Sequence, residues 1–224
     1  MYRHEPTNEG ELLTRAGELC GQTVGAIAAT LHVTMPSNQT KNKGFVGDLI
    51  ESFLGANEAR NLPIPDFARL GIELKTIPVS KGMPTESTHV CNAALKNLTG
   101  EYWRNSRVFH KLKKILWVPI QADKHVKLPD RTVGSAFLWS PSPREEEILR
   151  NDWEEHMELI ALGRFSELHA ERGEYLQIRP KARNSRVKGS ATSESGEVHP
   201  TLPRGFYLRT SFTALILQHS DISF

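Results

Sequence analysis

Apolar residues recur at helical spacing near the start of the chain: Leu12, Leu13, Ala16, Leu19 and Cys20, then Val24, Ile27, Ala28 and Leu31. That spacing predicts helix over residues 8–32, punctuated by Gly21 and Thr23, with Asn8 and Glu11 set as a capping box. The polar stretch from Pro36 to Lys43 reads as a loop. A second stripe, Val46, Leu49, Ile50, Phe53 and Leu54, predicts a helix over 44–54 that stops at Gly55. Ile72 to Ile77 is rich in branched residues and predicts a strand, with a turn at Val79–Gly82. Residues 86–94 alternate loosely, as a strand would, and Ile115–Ile120 is the short apolar run of a buried strand. Val133 to Trp139 is a further strand candidate.

The second half opens on a strong helix start, Ser142-Pro143-Arg144-Glu145, with a capping serine and proline in the first turn. Ile148, Leu149, Trp153, Met157 and Ile160 form its apolar side. Glu145, Glu146, Glu147, Asp152, Glu154, Glu155 and Glu158 are expected on a solvated acidic face that would repel a DNA backbone. Gly163 and Gly173 bound a shorter predicted helix, and Glu174–Lys181 reads as a strand ending in basic residues. Residues 182–200 are polar and nearly devoid of large apolar groups, so a mobile loop is expected there. Structure resumes over Leu202–Arg209, and a last helix is expected at about 211–219.

Length allows one good-sized domain or two small lobes in 224 residues. A formal net charge of +2 is not that of a polycation, so any nucleic-acid contact must gather its positive charge locally. Neither a signal-peptide core nor a run of roughly 18 apolar residues is present, and the cytoplasm is the expected compartment, with no membrane contact. Cys20 and Cys91 are too few for a disulfide framework and lack metal-ligand spacing; both are expected to be buried thiols.

Candidate chemistry concentrates in Asp66-Phe-Ala-Arg-Leu-Gly-Ile-Glu73-Leu-Lys75. Alternation along a strand puts Glu73 and Lys75 on one face and Ile72 and Leu74 on the other, towards a core. A tight reversal at Leu70-Gly71 could return Asp66 to the neighbourhood of Glu73. Two carboxylates supply hard oxygen ligands for Mg²⁺, which lowers the pKa of a bound water and offsets charge at a phosphorane-like centre. The amine can orient that water or stabilise the transition state. Set against this is a plainer reading: a charge pair on a solvated face, with Asp66 capping a turn. Glu51 has the same two readings, a solvated helix residue or a third carboxylate at the edge.

Five segments follow one another in a familiar order: Gly44–Glu51 with Asp66–Pro78, then His110–Pro119, Gly173–Lys181 and Leu202–Tyr207. Together they resemble the mismatch-repair endonuclease MutH family, over nearly the whole chain. The resemblance implies an α/β, restriction-endonuclease-like fold, a mixed sheet flanked by helices with two subdomain arms forming a DNA-binding cleft. It implies Mg²⁺-dependent nicking of the unmethylated strand at hemimethylated GATC sites, with Mn²⁺ or Ca²⁺ as alternative occupants in vitro. Double-stranded DNA containing GATC is the implied substrate. The ATPase MutL is the implied activator, itself recruited by the mismatch sensor MutS, and the enzyme is expected to act as a monomer.

By position, the resemblance makes Asp66 and Glu73 metal ligands, helped by the Leu74 carbonyl. Lys75 becomes the catalytic lysine and Glu51 an additional carboxylate. Lys43 and Lys111 match lysines near the DNA, and Arg179, Pro180, Lys181 and Tyr207 match elements that meet the recognition sequence. His89 stands where the family often has an aromatic residue. Two other functions share these features: a restriction enzyme cutting both strands at GATC, and a catalytically idle DNA-binding module. Replacing Asp66, Glu73 or Lys75 by alanine is expected to abolish nicking and leave the fold intact, as side chains on an open edge add little to a core.

Overall fold

The computed structural model describes residues 4–37, 44–56, 64–96, 98–181, 189–192, 198–220 and 223–224, with only the backbone course given for 189–192 and 198–200. In chain order the elements are α1 (Glu9–Gly17), α2 (Val24–Thr30), α3 (Phe45–Leu54), β1 (Glu73–Ser80), β2 (Met83–Pro84) and β3 (Thr88–Asn92). Next come α4 (Arg107–Leu112), β4 (Ile115–Gln121), β5 (Phe137–Trp139), α5 (Pro143–Ala161) and β6 (Leu176–Pro180). The chain ends with β7 (Gly189–Thr192), β8 (Val198–Thr201), β9 (Arg204–Leu208) and α6 (Thr210–Gln218). Two compact units interleave along the sequence. One comprises residues 1–86, 113–140 and 214–224, the other 87–112 and 141–213.

The first unit is built on a mixed sheet of order β2-β1-β4-β5, in which β1 and β4 run parallel from Glu73↔Ile115 to Val79↔Gln121. Ile72 and Leu74 join a buried cluster with Leu49, Ile50, Phe53 and Leu54 of α3 and with Leu116, Val118 and Ile120 of β4. Helix α3 ends where expected, on Gly55 at φ 79°. β1 outruns its expected end at Ile77. Odd-numbered residues of β1 bond towards β4, as Glu73 N–H to the Lys114 carbonyl shows. Pro78 therefore turns its nitrogen to the other edge, where no β4 bond is lost, and its carbonyl accepts the Thr85 N–H. The turn is confined to Lys81 and Gly82, at φ 52° and 76°, a two-residue hairpin joining β1 to β2.

In the second unit the sheet order is β3-β9-β6, antiparallel throughout. Helix α5 starts on the expected capping box, but its inner face differs from expectation: Asp152 and His156 are buried with Leu149, Trp153, Leu159 and Ile160. Spacing explains this, because 149, 152, 156 and 159 are one or two turns apart on one side. Of the remaining acids, Glu146 pairs with Arg104 and Glu155 with Arg172, so that face is partly neutralised. The helix expected between Gly163 and Gly173 is reduced to a single 3₁₀ turn, Phe165–Glu167. Arginines take the carbonyls a helix would use internally: Arg204 binds those of Phe165 and Leu168, and Arg209 those of Ala170, Arg172 and Gly173.

The segment expected to be an unstructured loop, 182–200, contains β7, which pairs antiparallel with β8 from Gly189↔Thr201 to Thr192↔Val198. Cys20 is exposed and Cys91 half-buried, neither in a disulfide, so the expectation of two buried thiols is corrected. No helix among the described residues is long and apolar enough to cross a membrane.

His156 is fully buried, and its Nε2 lies 3.2 Å from the Leu176 carbonyl while Nδ1 has no partner. Nε2 is therefore the donor and the ring is neutral. Burial pushes the imidazole below its ordinary value, and this outweighs the Leu176 bond and the charges of Asp152 and Glu155. Below about pH 6.5 the unfolded chain takes up a proton that the folded chain refuses. Stability is thus complete above that pH and falls as the pH drops towards the folded value. The expected slope from this group is about 1.4 kcal/mol per pH unit within that window. Denaturant titrations from pH 8 to 5 should show it in the parent and not in His156→Gln; parallel curves would remove His156 as the cause.

Candidate functional site

The edge carrying Asp66, Glu73 and Lys75 is assembled by a closed reversal. Phe67 and Ile72, both wholly buried, form an antiparallel bridge, with the Phe67 N–H donating to the Ile72 carbonyl at 2.9 Å. Gly71, at φ 66°, occupies the left-handed position that completes the turn. The outcome is that Asp66 Oδ2 accepts the Leu74 N–H at 2.8 Å. In a strand the N–H and C=O of one residue point to the same edge. The Leu74 carbonyl therefore faces the edge that Asp66 approaches, away from β4.

Glu73 and Lys75 do share a face, and Lys75 Nζ donates to Glu73 Oε1 at 2.6 Å. They are not on a solvated surface: Glu73 is 2% exposed and the Lys75 side chain 17%. That excludes the plainer reading of a surface charge pair, although Asp66 does cap a backbone N–H as that reading required. Burial alone would push the Lys75 ammonium down; the charges of Glu73, Asp66 and Glu51 together with the Glu73 hydrogen bond more than offset it and hold Lys75 above its ordinary value. Glu51, half-buried on α3, thus belongs to the same electrostatic neighbourhood. The helix approaches β1 closely enough that a methyl on Gly47 would lie 3.8 Å from Thr76 Oγ1. Four of the sequence-predicted residues, and the Leu74 backbone, are brought together here.

A second cluster lies on the sheet of the other unit. Register places His89, Tyr207 and Gln177 in one row across β3, β9 and β6. His89 meets the Tyr207 ring edge-on at 5.0 Å, and the Arg179 guanidinium lies 5.2 Å above that ring. Burial raises the Tyr207 hydroxyl pKa, an effect the Arg179 charge opposes. Gly205 makes room for the pair: a side chain there would come within 3.2 Å of both His89 Nε2 and the Tyr207 ring. Arg179 also donates to Ser87, and Lys181 Nζ to Asn92 Oδ1 at 2.6 Å, while Arg179, Pro180 and Lys181 stay exposed at the strand end. Lys111 stands in the last turn of α4. Lys43 lies outside the described residues.

Comparison with known proteins shows which family the chain belongs to. Residues 54–152 match the family model described as DNA mismatch repair enzyme MutH. Over 213 residues the chain is 49% identical to the DNA mismatch repair protein MutH of Shewanella baltica (strain OS185), covering 95% of each. It is 48% identical over 213 residues to the protein of the same name from Shewanella oneidensis, again covering 95% of each. This chain belongs to the MutH family. The mixed sheet flanked by helices is the restriction-endonuclease-like α/β fold expected of a MutH protein.

One feature of this MutH-family chain escaped the sequence reading. Asp152 accepts three backbone N–H groups, from Glu174 at 2.8 Å, Tyr175 at 2.7 Å and Leu176 at 2.8 Å, and so sets the start of β6. Its spacing from Leu149 and His156 was the available signal. Lys113 lies beside Gly71. No sequence pattern separates Lys113 from its neighbours Lys111 and Lys114.

Proposed function

We propose that this chain is a Mg²⁺-dependent endonuclease that nicks the unmethylated strand of hemimethylated GATC sites in mismatch repair. The observation that carries this is the buried Glu73–Lys75 pair beside Asp66, in a chain of the MutH family. Asp66, Glu73 and the Leu74 carbonyl form an all-oxygen donor set. Among the described residues no three His, Cys, Asp or Glu side chains are arranged to hold an ion by themselves. Mg²⁺ does not need them, since it keeps several waters and takes one or two carboxylates. The donor set fits that ion; Mn²⁺ and Ca²⁺ are alternative occupants in vitro. When bound, the ion supplies a water of lowered pKa and offsets charge on the phosphorane-like centre. Lys75, held protonated by three carboxylates, orients the attacking water or stabilises transition-state charge. Glu51 contributes by keeping that ammonium charged.

Arg179, Pro180, Lys181 and Tyr207 are proposed to meet the GATC bases, with Lys111 and Lys43 on phosphates. Adenine N6 faces the major groove, where methylation changes both shape and donor capacity. Tyr207, braced by His89 and Arg179, is placed by this proposal against that N6. Tyr207→Ala should then narrow the rate gap between hemimethylated and fully methylated DNA by roughly 10-fold or more, the loss of one base contact. An unchanged gap removes Tyr207 from that role.

Cutting one strand requires one active centre, which suits a monomer, activated by MutL downstream of MutS. The test is a plasmid carrying GATC, unmethylated, hemimethylated or fully methylated, incubated with Mg²⁺. A nick confined to the unmethylated strand is the expected result. Linear product would mark a restriction enzyme, and binding without cutting an idle module; either would overturn the proposal.

A further inference from the structure

Lys113 stands apart from the other cations near the Asp66–Lys75 edge. Lys75 is paired with Glu73, Lys114 with Glu9 at 2.5 Å, and Arg69 lies 3.8 Å from Glu5. Lys113 is exposed and, among the described residues, has neither a hydrogen bond nor an ion pair. Yet its position is defined. A methyl placed on Gly71 would lie 3.5 Å from both Cε and Nζ of Lys113, so the ammonium lies beside Gly71. The next residue, Lys114, accepts the Glu73 N–H through its carbonyl at 3.0 Å. Gly71 and Glu73 are two residues apart, so their Cα atoms are separated by at most about 7 Å.

We infer that Lys113, beside the Gly71 reversal, is a DNA-phosphate contact next to the scissile phosphate. The inference rests on the endonuclease reading above. Three physical points carry it. An ammonium without an internal partner keeps its donors for an anion. DNA offers a phosphate for every 3.4 Å of axial rise along a strand, so a phosphate held at the Asp66–Glu73 edge brings its neighbours within reach of a side chain this close. Finally, Gly71 takes the left-handed φ that makes the reversal, and the ammonium lies beside that turn. Lys113 would thus hold the strand in register with the edge and add nothing to base recognition.

The experiment measures the salt dependence of binding to a GATC duplex and to a duplex of the same length without GATC, with Ca²⁺ replacing Mg²⁺. Lys113→Ala should lower the magnitude of the log K against log salt slope by about 0.9, the loss of one phosphate contact. Between about 50 and 200 mM salt the parent should therefore lose about 3.5-fold more affinity than the variant. Weakening should be equal on both duplexes, Lys113→Arg should restore the slope, and thermal melting should be unchanged. Lys127→Ala, an exposed lysine beyond the far end of β4, controls for net charge. A parent slope in Lys113→Ala, or the same drop in Lys127→Ala, overturns the inference while leaving the nuclease reading standing. A parent protein that binds neither duplex sinks both.

Discussion

Glu73→Ala should lower nicking by on the order of 10³-fold or more and should also destabilise the protein by roughly 3 kcal/mol. The first effect follows from losing one of two carboxylates at the proposed cleaving edge. The second runs against the expectation that alanine at this position leaves the fold intact, because the edge is buried rather than open. Glu73 is 2% exposed and holds the ammonium of Lys75, whose side chain is only 17% exposed. Removing the carboxylate leaves a largely desolvated positive charge with less to neutralise it, and unpaired buried charges are costly. Asp66 and Glu51 remain nearby and soften the loss, which keeps the figure at the low end. The double substitution Glu73→Ala/Lys75→Met separates the two effects: it should regain most of the stability and none of the activity. Urea unfolding and a plasmid nicking assay measure them. Nicking within tenfold of the parent in Glu73→Ala would refute its proposed role, and a single variant no less stable than the double would refute the buried-charge argument.

How far the sequence could lead to this site depended on whether local pattern or distant contact decides each part. The reversal at Leu70-Gly71, the strand that follows it and the sharing of one face by Glu73 and Lys75 were legible, because alternation and a glycine determine them locally. Burial of that face was not. Glu73 and Lys75 look like surface residues in any window, and only the approach of Ile115 and Trp117 in the parallel partner strand, forty residues on, shows otherwise. The same limit explains the missing helix after Gly163. Its local pattern is compatible with helix, but Arg204 and Arg209, from β9 and the residue after it, claim the carbonyls. The β7–β8 pairing was illegible for a different reason: Gly189–Thr192 lacks an apolar alternation, and backbone pairing leaves no trace in composition. The family resemblance supplied the order of the motifs, yet it pointed to neither Lys113 nor Asp152, whose surroundings are a matter of packing in this chain.

Asp152→Ala is the second large effect expected, about 3–5 kcal/mol of stability, and its cause is geometric. Residues 170–176 have to turn from α5 into β6, and the backbone there is gripped from two sides. Asp152 takes the N–H groups of Glu174, Tyr175 and Leu176, while Arg209 takes the carbonyls of Ala170, Arg172 and Gly173. Gly173, at φ 81°, has no room for a side chain, since a methyl there would fall 1.9 Å from the Leu176 carbonyl oxygen. Without the carboxylate, three donors in a largely buried setting lose their acceptor at once. Asp152→Asn should recover only part of the loss, because its amide nitrogen presents a donor where a second acceptor is needed. The strand so anchored carries Arg179 and ends at Pro180, next to Lys181, so the proposed DNA contacts should weaken together with stability. Activity on saturating DNA should suffer less, because Asp66, Glu73 and Lys75 belong to the other unit. Amide exchange at residues 174–176 gives the local readout: protection should collapse there in Asp152→Ala. If those amides stay protected, or stability falls by less than about 1 kcal/mol, the carboxylate is not what sets the start of β6.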